Sequence, residues 1–294
     1  MEREFHWIKV LGKGSFAEVF HVRGRRDGKD YAIKRSVRPY TGVSDRKRQI
    51  MEVEALWRMQ QGGGKEGKGS RYIVQLISAW EEEAVLYLQM ETYERGNLGD
   101  WLLKQGRERG AMGEEGVWRV VGQVGHALAW VHQCGYLHLD VKPANCMLTR
   151  KWTVRLGDFG HALPQSEDPH VGWGGDEGDK EYVAPEVIRR GLYLPAADVF
   201  SLGMSMLEMV LNIVLPAEGE VWERFREGDF SDCEVAEAGR SGEVLGVMWG
   251  LMCPDPADRT TLEGLLGVRE VVRGLEEVEA RERSEKEGEG IDGP

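Results

Sequence analysis

Asp140, Lys142 and Asn145 share one short run, His138-Leu-Asp-Val-Lys-Pro-Ala-Asn145, and Asp158 opens the triplet Asp158-Phe-Gly160 thirteen residues after Asn145. A carboxylate, an ammonium and two further oxygen donors at these spacings suit phosphoryl transfer, where the protein supplies positioning and charge rather than covalent chemistry. Asp140 is expected to accept the proton of an attacking hydroxyl and to align it. Lys142 would neutralise charge on the transferred group, while Asn145 and Asp158 would hold Mg²⁺ through oxygen. His138 invites a general-base reading. Its place in the run instead predicts packing beneath Phe159, with Leu56 and Leu76 extending the apolar stack.

A second constellation lies upstream. Leu11-Gly-Lys-Gly-Ser-Phe-Ala-Glu-Val19 falls between two strand-like runs rather than before a helix, which favours a hairpin covering phosphates over a dinucleotide fingerprint. Gly12 and Gly14 let backbone N–H groups approach the phosphates, and Ala17 stands where a third glycine is usual. Val19 should cap an adenine, with Leu11 and Ala32 on the same nucleotide-binding surface. Lys34, in Tyr31-Ala-Ile-Lys34, resembles the strand lysine with which protein kinases grip the α- and β-phosphates of ATP. Its partner should be a carboxylate on the following helix. Glu52 is preferred to Glu54 because Leu56 then falls one turn later on the inward face. The same resemblance implies that Met90 walls the back of the adenine pocket and that backbone groups of Glu91 and Tyr93 meet the adenine edge.

These residues need a frame. Residues 5–11, 18–23 and 30–35 read as strands separated by glycine-rich or Asp-Gly turns. A helix is predicted over 44–60, with Ser44 as N-cap and Ile50, Val53, Leu56 and Trp57 on one face. Residues 62–69 are too glycine-rich to repay ordering and read as a flexible loop. Strands over 73–80 and 85–91 complete a five-stranded sheet, and 91–96 is a connector. Beyond it the pattern is helical: Val117, Trp118, Val121, Val124, Leu128 and Val131 recur at helical spacing, and Gly135 supplies the stop. Short strands at 146–148 and 154–156 flank the catalytic run. The apolar stretch 199–215 is interrupted by Glu208 and Asn212, so it reads as a buried core helix rather than a membrane span.

The bulk composition narrows the partners. The chain has 294 residues and a net charge of −12, which argues against nucleic acid or an anionic membrane as a partner. Residues 276–294 hold eight acids and three bases and read as a fraying helix or, in preference, a solvated, disordered tail. Cys134, Cys146, Cys233 and Cys253 show no Cys-x-x-Cys spacing, which suits a reducing compartment. The first residues, Met-Glu-Arg-Glu-Phe-His-Trp, carry acids where a signal peptide would need a basic patch.

Together the two constellations resemble a protein-kinase catalytic domain. The resemblance implies an α+β, bilobal fold, with a small five-stranded antiparallel lobe and a larger, mainly helical lobe. It places the domain over 1–275, with lobes at about 1–91 and 97–275. It also implies that Glu186 of Ala184-Pro-Glu186 forms a buried ion pair with Arg259, and that Asp198 holds the catalytic-loop backbone.

Four features sharpen the resemblance to the Wee/Myt family, kinases that inhibit cyclin-dependent kinases. They are Leu139 where most kinases have arginine, Glu177-Gly-Asp179, Ala79-Trp80-Glu81-Glu82, and Leu215-Pro-x-x-Gly219-x-x-Trp222-x-x-Phe-Arg226-x-Gly228. Leu139 removes a buried cation that an activation-segment phosphate would have to neutralise. Asp179 replaces a threonine and should bind Lys142 differently from the usual hydroxyl. The implied substrate is a cyclin-dependent kinase, with its cyclin, modified on a tyrosine or threonine of its glycine-rich loop. Gly96-Asn-Leu-Gly-Asp100 resembles the Wee branch and the catalytic run the Myt branch. A soluble, monomeric protein of nucleus or cytoplasm is expected. A Ser/Thr kinase with another substrate is the competing reading. A nucleotide-binding scaffold without turnover is disfavoured because Lys34, Glu52, Asp140, Asn145 and Asp158 are all present.

Overall fold

The computed structural model describes residues 4–61, 71–170, 178–231, 233 and 239–288. The expected loop at 62–69, together with Asp176 and Glu177, lies outside them. Five strands form one antiparallel sheet in the order β1-β2-β3-β5-β4: β1 (Phe5–Lys13), β2 (Ala17–Gly24), β3 (Asp30–Ser36), β4 (Leu76–Glu82) and β5 (Val85–Glu91). The register pairs Val19 with Lys34 and Ala32 with Met90. One face of the sheet carries a small aromatic cluster, in which Trp80 stacks between Phe5 and Tyr87.

Helix α1 (Val43–Gln61) crosses between β3 and β4. Its start corrects the sequence reading. The helix begins one residue before Ser44, and Asp45 fastens the entry by accepting from the N–H and hydroxyl of Thr41. Its inward face is also turned from the predicted one. Glu52, Ala55, Leu56 and Met59 are buried, whereas Trp57 is 61% exposed. The strand predicted from residue 73 begins at Leu76 instead, because Ile73 makes an isolated parallel bridge to Leu156.

The second half is helical. Asn97 caps α2 (Leu98–Arg109) by accepting from the N–H of Asp100 at 2.8 Å. Helix α3 (Glu114–Gln133) buries all six residues of its predicted apolar series. Beyond it come β6 (Tyr136–Leu137), a short 3-10 turn (Pro143–Asn145), β7 (Cys146–Leu148), β8 (Val154–Leu156) and β9 (Leu163–Pro164). The helices α4 (Pro185–Arg190), α5 (Pro195–Leu211), α6 (Glu220–Arg226), α7 (Gly242–Leu251) and α8 (Leu262–Leu266) then close the lobe. Helix α5 is its centre, with Phe200, Met204, Met206, Leu207, Met209 and Val210 inaccessible to solvent. Each such side chain contributes about 1.5–3 kcal/mol by leaving water.

The tail expectation needs correction as far as residue 288. Helix α9 (Arg269–Gly288) runs through the segment read as disordered. Val278 is buried, Glu279 and Glu282 pair with Arg71, and Glu282 accepts from the Thr153 hydroxyl at 2.9 Å. Composition hid this, because one apolar face and a few ion pairs suffice to dock a highly charged helix. No helix among the described residues is long and apolar enough to cross a membrane.

Candidate active site

A cavity of about 560 Å³ opens between the sheet and the helical half. Gly12, Gly14, Ala17 and Val19 from the β1–β2 hairpin line it, together with Lys34, Glu52, Lys142, Asn145 and Asp158. Leu11, Ala32, Met90, Glu91 and Tyr93 do not line this cavity. They sit at the strand ends and the connector, where the Glu91 N–H donates to the Gln75 carbonyl at 3.2 Å. The Tyr93 hydroxyl accepts from the Gln75 N–H at 3.2 Å, and burial pushes the phenol up to about 12.

At one end of the cavity Lys34 joins three elements. Its Nζ donates to Glu52 at 2.7 and 2.8 Å and to Asp158 at 2.8 Å. Burial alone would lower the lysine, but the two carboxylates more than offset it and hold it above the ordinary range. The Lys34 charge in turn holds Asp158 well below the usual carboxylate range. Glu52 is therefore the partner, as expected, and Glu54 stays exposed. The Asp158 backbone has φ 57°, a left-handed turn that swings the carboxylate into the cleft while the neighbouring Phe159 stays 1% exposed.

At the other end, buried Asp140 gathers several donors. Lys142 Nζ reaches it at 3.0 Å, Asn145 Nδ2 at 2.8 Å, and the Asp179 N–H at 3.2 Å. The same Lys142 ammonium donates to Asp179 Oδ2 at 3.2 Å, and the two carboxylates raise its pKa despite burial. Gly178 makes this approach possible. Its φ is +77°, and a Cβ there would lie 2.4 Å from the Leu139 carbonyl. With its amide nitrogen committed to Asp140, Asn145 has an amide oxygen to offer a cation. That oxygen and the Asp158 carboxylate make a hard donor pair suited to Mg²⁺, which takes one or two protein carboxylates and completes its shell with phosphates and water.

The supporting residues behave largely as the sequence implies. His138 is fully buried, its ring 4.7 Å from Phe159, and burial depresses its pKa. Asp198 accepts from the N–H groups of His138 at 2.9 Å and Leu139 at 2.7 Å. Arg259 and Glu186 pair at 2.6 Å, both almost wholly buried. Leu139 lines a small cavity with Val183, Val187, Tyr193 and Ala197. Two participants escaped the sequence reading. His132 donates through Nε2 to Asp198 Oδ2 at 2.7 Å, and His161 lines the cavity with Nδ1 3.7 Å from Asp140 Oδ2. Neither carries a spacing signal, since both contacts arise only when helices and loops converge.

Comparisons with known proteins agree with this geometry. Residues 5–269 match the protein kinase domain. The chain is 34% identical to the mitosis inhibitor protein kinase wee1 of Schizosaccharomyces pombe, over 91% of this chain and 31% of that protein. It is 35% identical to the membrane-associated tyrosine- and threonine-specific cdc2-inhibitory kinase of Drosophila melanogaster, over 90% of this chain and 46% of that protein. A probable protein kinase of Dictyostelium discoideum is 36% identical, over 89% of this chain and 71% of that protein. The chain thus spans less than half the length of its two named mitotic relatives. Such a domain implies ATP and a divalent cation. The chain belongs to the protein kinase family and, within it, to the Wee group.

Proposed function

We propose that this protein transfers the γ-phosphate of Mg·ATP to a tyrosine or threonine in the glycine-rich loop of a cyclin-dependent kinase bound to its cyclin, restraining mitotic entry. The observation that carries this reading is the Lys142 ammonium shared between Asp140 and Asp179. A carboxylate in place of a hydroxyl at that point reshapes the acceptor side of an otherwise Ser/Thr-type loop. The mitosis-inhibitor and cdc2-inhibitory relatives support the substrate class.

In this reading Asp140 takes the proton of the acceptor hydroxyl as its oxygen attacks the γ-phosphorus in line. Lys142 offsets charge on the phosphoryl group in transit, and ADP is the leaving group. Lys34, fixed by Glu52, grips the α- and β-phosphates. The hairpin backbone at Gly12 and Gly14 lies above them, the Gly14 N–H itself donating to the Ala17 carbonyl at 2.8 Å. Val19 in the cavity wall, with Leu11, Ala32 and Met90 on the strands beyond it, would enclose the adenine, whose edge would meet the backbone of Glu91 and Tyr93 outside the cavity of about 560 Å³. Asn145 and Asp158 are the residues that would hold Mg²⁺, which when bound neutralises phosphate charge.

The test is incubation with Mg·ATP and a kinase-dead cyclin-dependent kinase–cyclin complex, followed by phosphosite mapping. Phosphate on the glycine-rich-loop tyrosine or threonine supports the reading. Transfer only to unrelated serine or threonine substrates would favour the competing Ser/Thr reading, to which Lys142 lends support.

A further inference from the structure

The motif ending in Trp222-x-x-Phe-Arg226-x-Gly228 belongs to the sequence resemblance, yet the catalytic geometry above uses none of it. Its polar members converge on one stretch of backbone beside the acceptor site. Trp222 Nε1 donates to the Lys180 carbonyl at 2.8 Å. Arg226, at the end of α6, donates through Nη2 to the carbonyls of Lys180 at 2.7 Å and Glu181 at 3.2 Å. Its Nη1 donates to the Trp222 carbonyl at 3.0 Å, and its guanidinium lies 3.9 Å from the Trp222 ring centroid.

Arg226 is 1% exposed, the largest side chain among those fully buried. The other deeply buried arginine among the described residues, Arg259, faces the Glu186 carboxylate. Arg226 spends its hydrogen bonds on carbonyl oxygens, and burial pushes its pKa down to about 10. Burying a guanidinium without a full counter-charge is costly, so a fold that does so uses the planar fork for its geometry. Here the fork and the indole take hold of two consecutive peptide units. The residue before them, Asp179, reaches Lys142 and Asp140. The residue after them, Tyr182, donates to Glu208 at 2.7 Å.

We propose that Trp222 and Arg226 are positioning residues for the acceptor site, holding the Lys180–Glu181 backbone so that Asp179 stays on Lys142 without a phosphate on the segment. The inference rests on reading the protein as a kinase of polypeptide hydroxyls. Two cations could in principle order such a segment: one that waits for phosphate, or one that binds carbonyls already present. Leu139 removes the first, and Arg226 supplies the second.

The test uses Trp222→Phe, which keeps the ring and loses the N–H, and Arg226→Met, which keeps bulk and loses the fork. Steady-state kinetics would be measured against a Gly-x-Gly-Thr-Tyr peptide and against ATP, alongside hydrogen exchange at amides 178–183. Arg226→Met should lower kcat/KM for the peptide about fivefold, as loss of the Asp179 charge would, with KM for ATP within twofold, and Trp222→Phe should fall between it and wild type. Amides 178–183 should exchange at least tenfold faster in both, with those of α5 unchanged. Peptide kcat/KM within twofold of wild type alongside a lowered Tm would overturn the proposal, showing that α6 serves stability alone. If Arg226→Met does not fold, Trp222→Phe carries both measurements. If wild type phosphorylates no polypeptide, the kinase reading fails, and unchanged exchange at 178–183 in Trp222→Phe would separately overturn the clamp.

Discussion

The two ends of the cleft are held by different kinds of contact. At the nucleotide end, Lys34 meets Glu52 from 18 residues away and Asp158 from 124 residues away, and the bonds run between full charges. At the acceptor end, Asp140 is surrounded by donors from its own loop, and the segment opposite is secured through its backbone by Trp222 and Arg226. The first end therefore depends on where α1 sits, because Glu52 travels with that helix. The second depends on the register of a few peptide units and has Leu139, rather than an arginine waiting for a counter-charge, next to Asp140. One cleft thus combines an end that a moving helix could dismantle with an end built to stay assembled.

The largest effect should come from the acceptor end. Asp140→Asn keeps the shape of the group that Lys142, Asn145 and the Asp179 N–H surround but removes its basicity. Turnover should fall by about 10²–10⁴, the range for losing a positioned acid or base. ATP affinity, set at the other end, should hold within a few-fold by nucleotide titration. Near-wild-type turnover would show that the two ends do not divide the work this way.

At the nucleotide end the charges should behave as one unit. Lys34→Ala should cost about 10² in kcat/KM, comparable to losing a buried donor to a developing charge. Glu52→Ala should cost less, since Asp158 still faces the lysine. The double variant should then be little worse than Lys34→Ala alone. Losses that add in full would break the idea of a single ion-paired cluster.

How much of this was legible in the sequence follows the same division. The nucleotide end was readable because charge leaves few options. A lysine in a half-buried strand demands an acid, and Glu52 rather than Glu54 sits beside Leu56 on the inward face. The catalytic run was readable because its groups are close in sequence and its chemistry dictates their types. The inward face of α1 was misread through Trp57, since bulk and apolarity argue for burial while the helix turns its Glu52–Met59 face to the core. Helix α9 is not legible beyond residue 275 because its continuation docks through the single apolar Val278 and through bonds to Arg71 and Thr153, which the segment's own composition does not reveal. The Trp222 and Arg226 contacts were invisible for a sharper reason. Both residues bind carbonyls, and a carbonyl carries no residue type to recognise.

A smaller effect should follow from Asp179→Asn. The Lys142–Asp179 contact is 3.2 Å long and about a third exposed on the carboxylate side, so solvent screens much of its charge. A charge-assisted bond discounted to about 1 kcal/mol corresponds to about a fivefold loss in kcat/KM for the acceptor. KM for ATP should not move. A loss of a hundredfold or more would mean that Asp179 acts with Asp140 as a catalytic pair rather than by tuning the space around Lys142.

The smallest expected effect is none at all, and it tests the acceptor end most directly. Between Gly160 and Tyr182 the only hydroxyl side chains are Ser166 and Tyr182. Tyr182 is 9% exposed, and its hydroxyl donates to Glu208. Burial, reinforced by the Glu208 charge, raises its pKa and keeps it a neutral donor. A phosphate there would break that bond and set like charge beside Glu181 and Glu208. Leu139 presents an apolar side chain to a small cavity shared with Val183 and Val187, where a cation would otherwise call for phosphate. Protein treated with phosphatase should therefore turn over within about twofold of untreated protein, and Ser166→Ala should match it. A tenfold loss, recovered when Ser166 or Tyr182 is phosphorylated again, would show that carbonyl-directed contacts do not assemble the segment unaided.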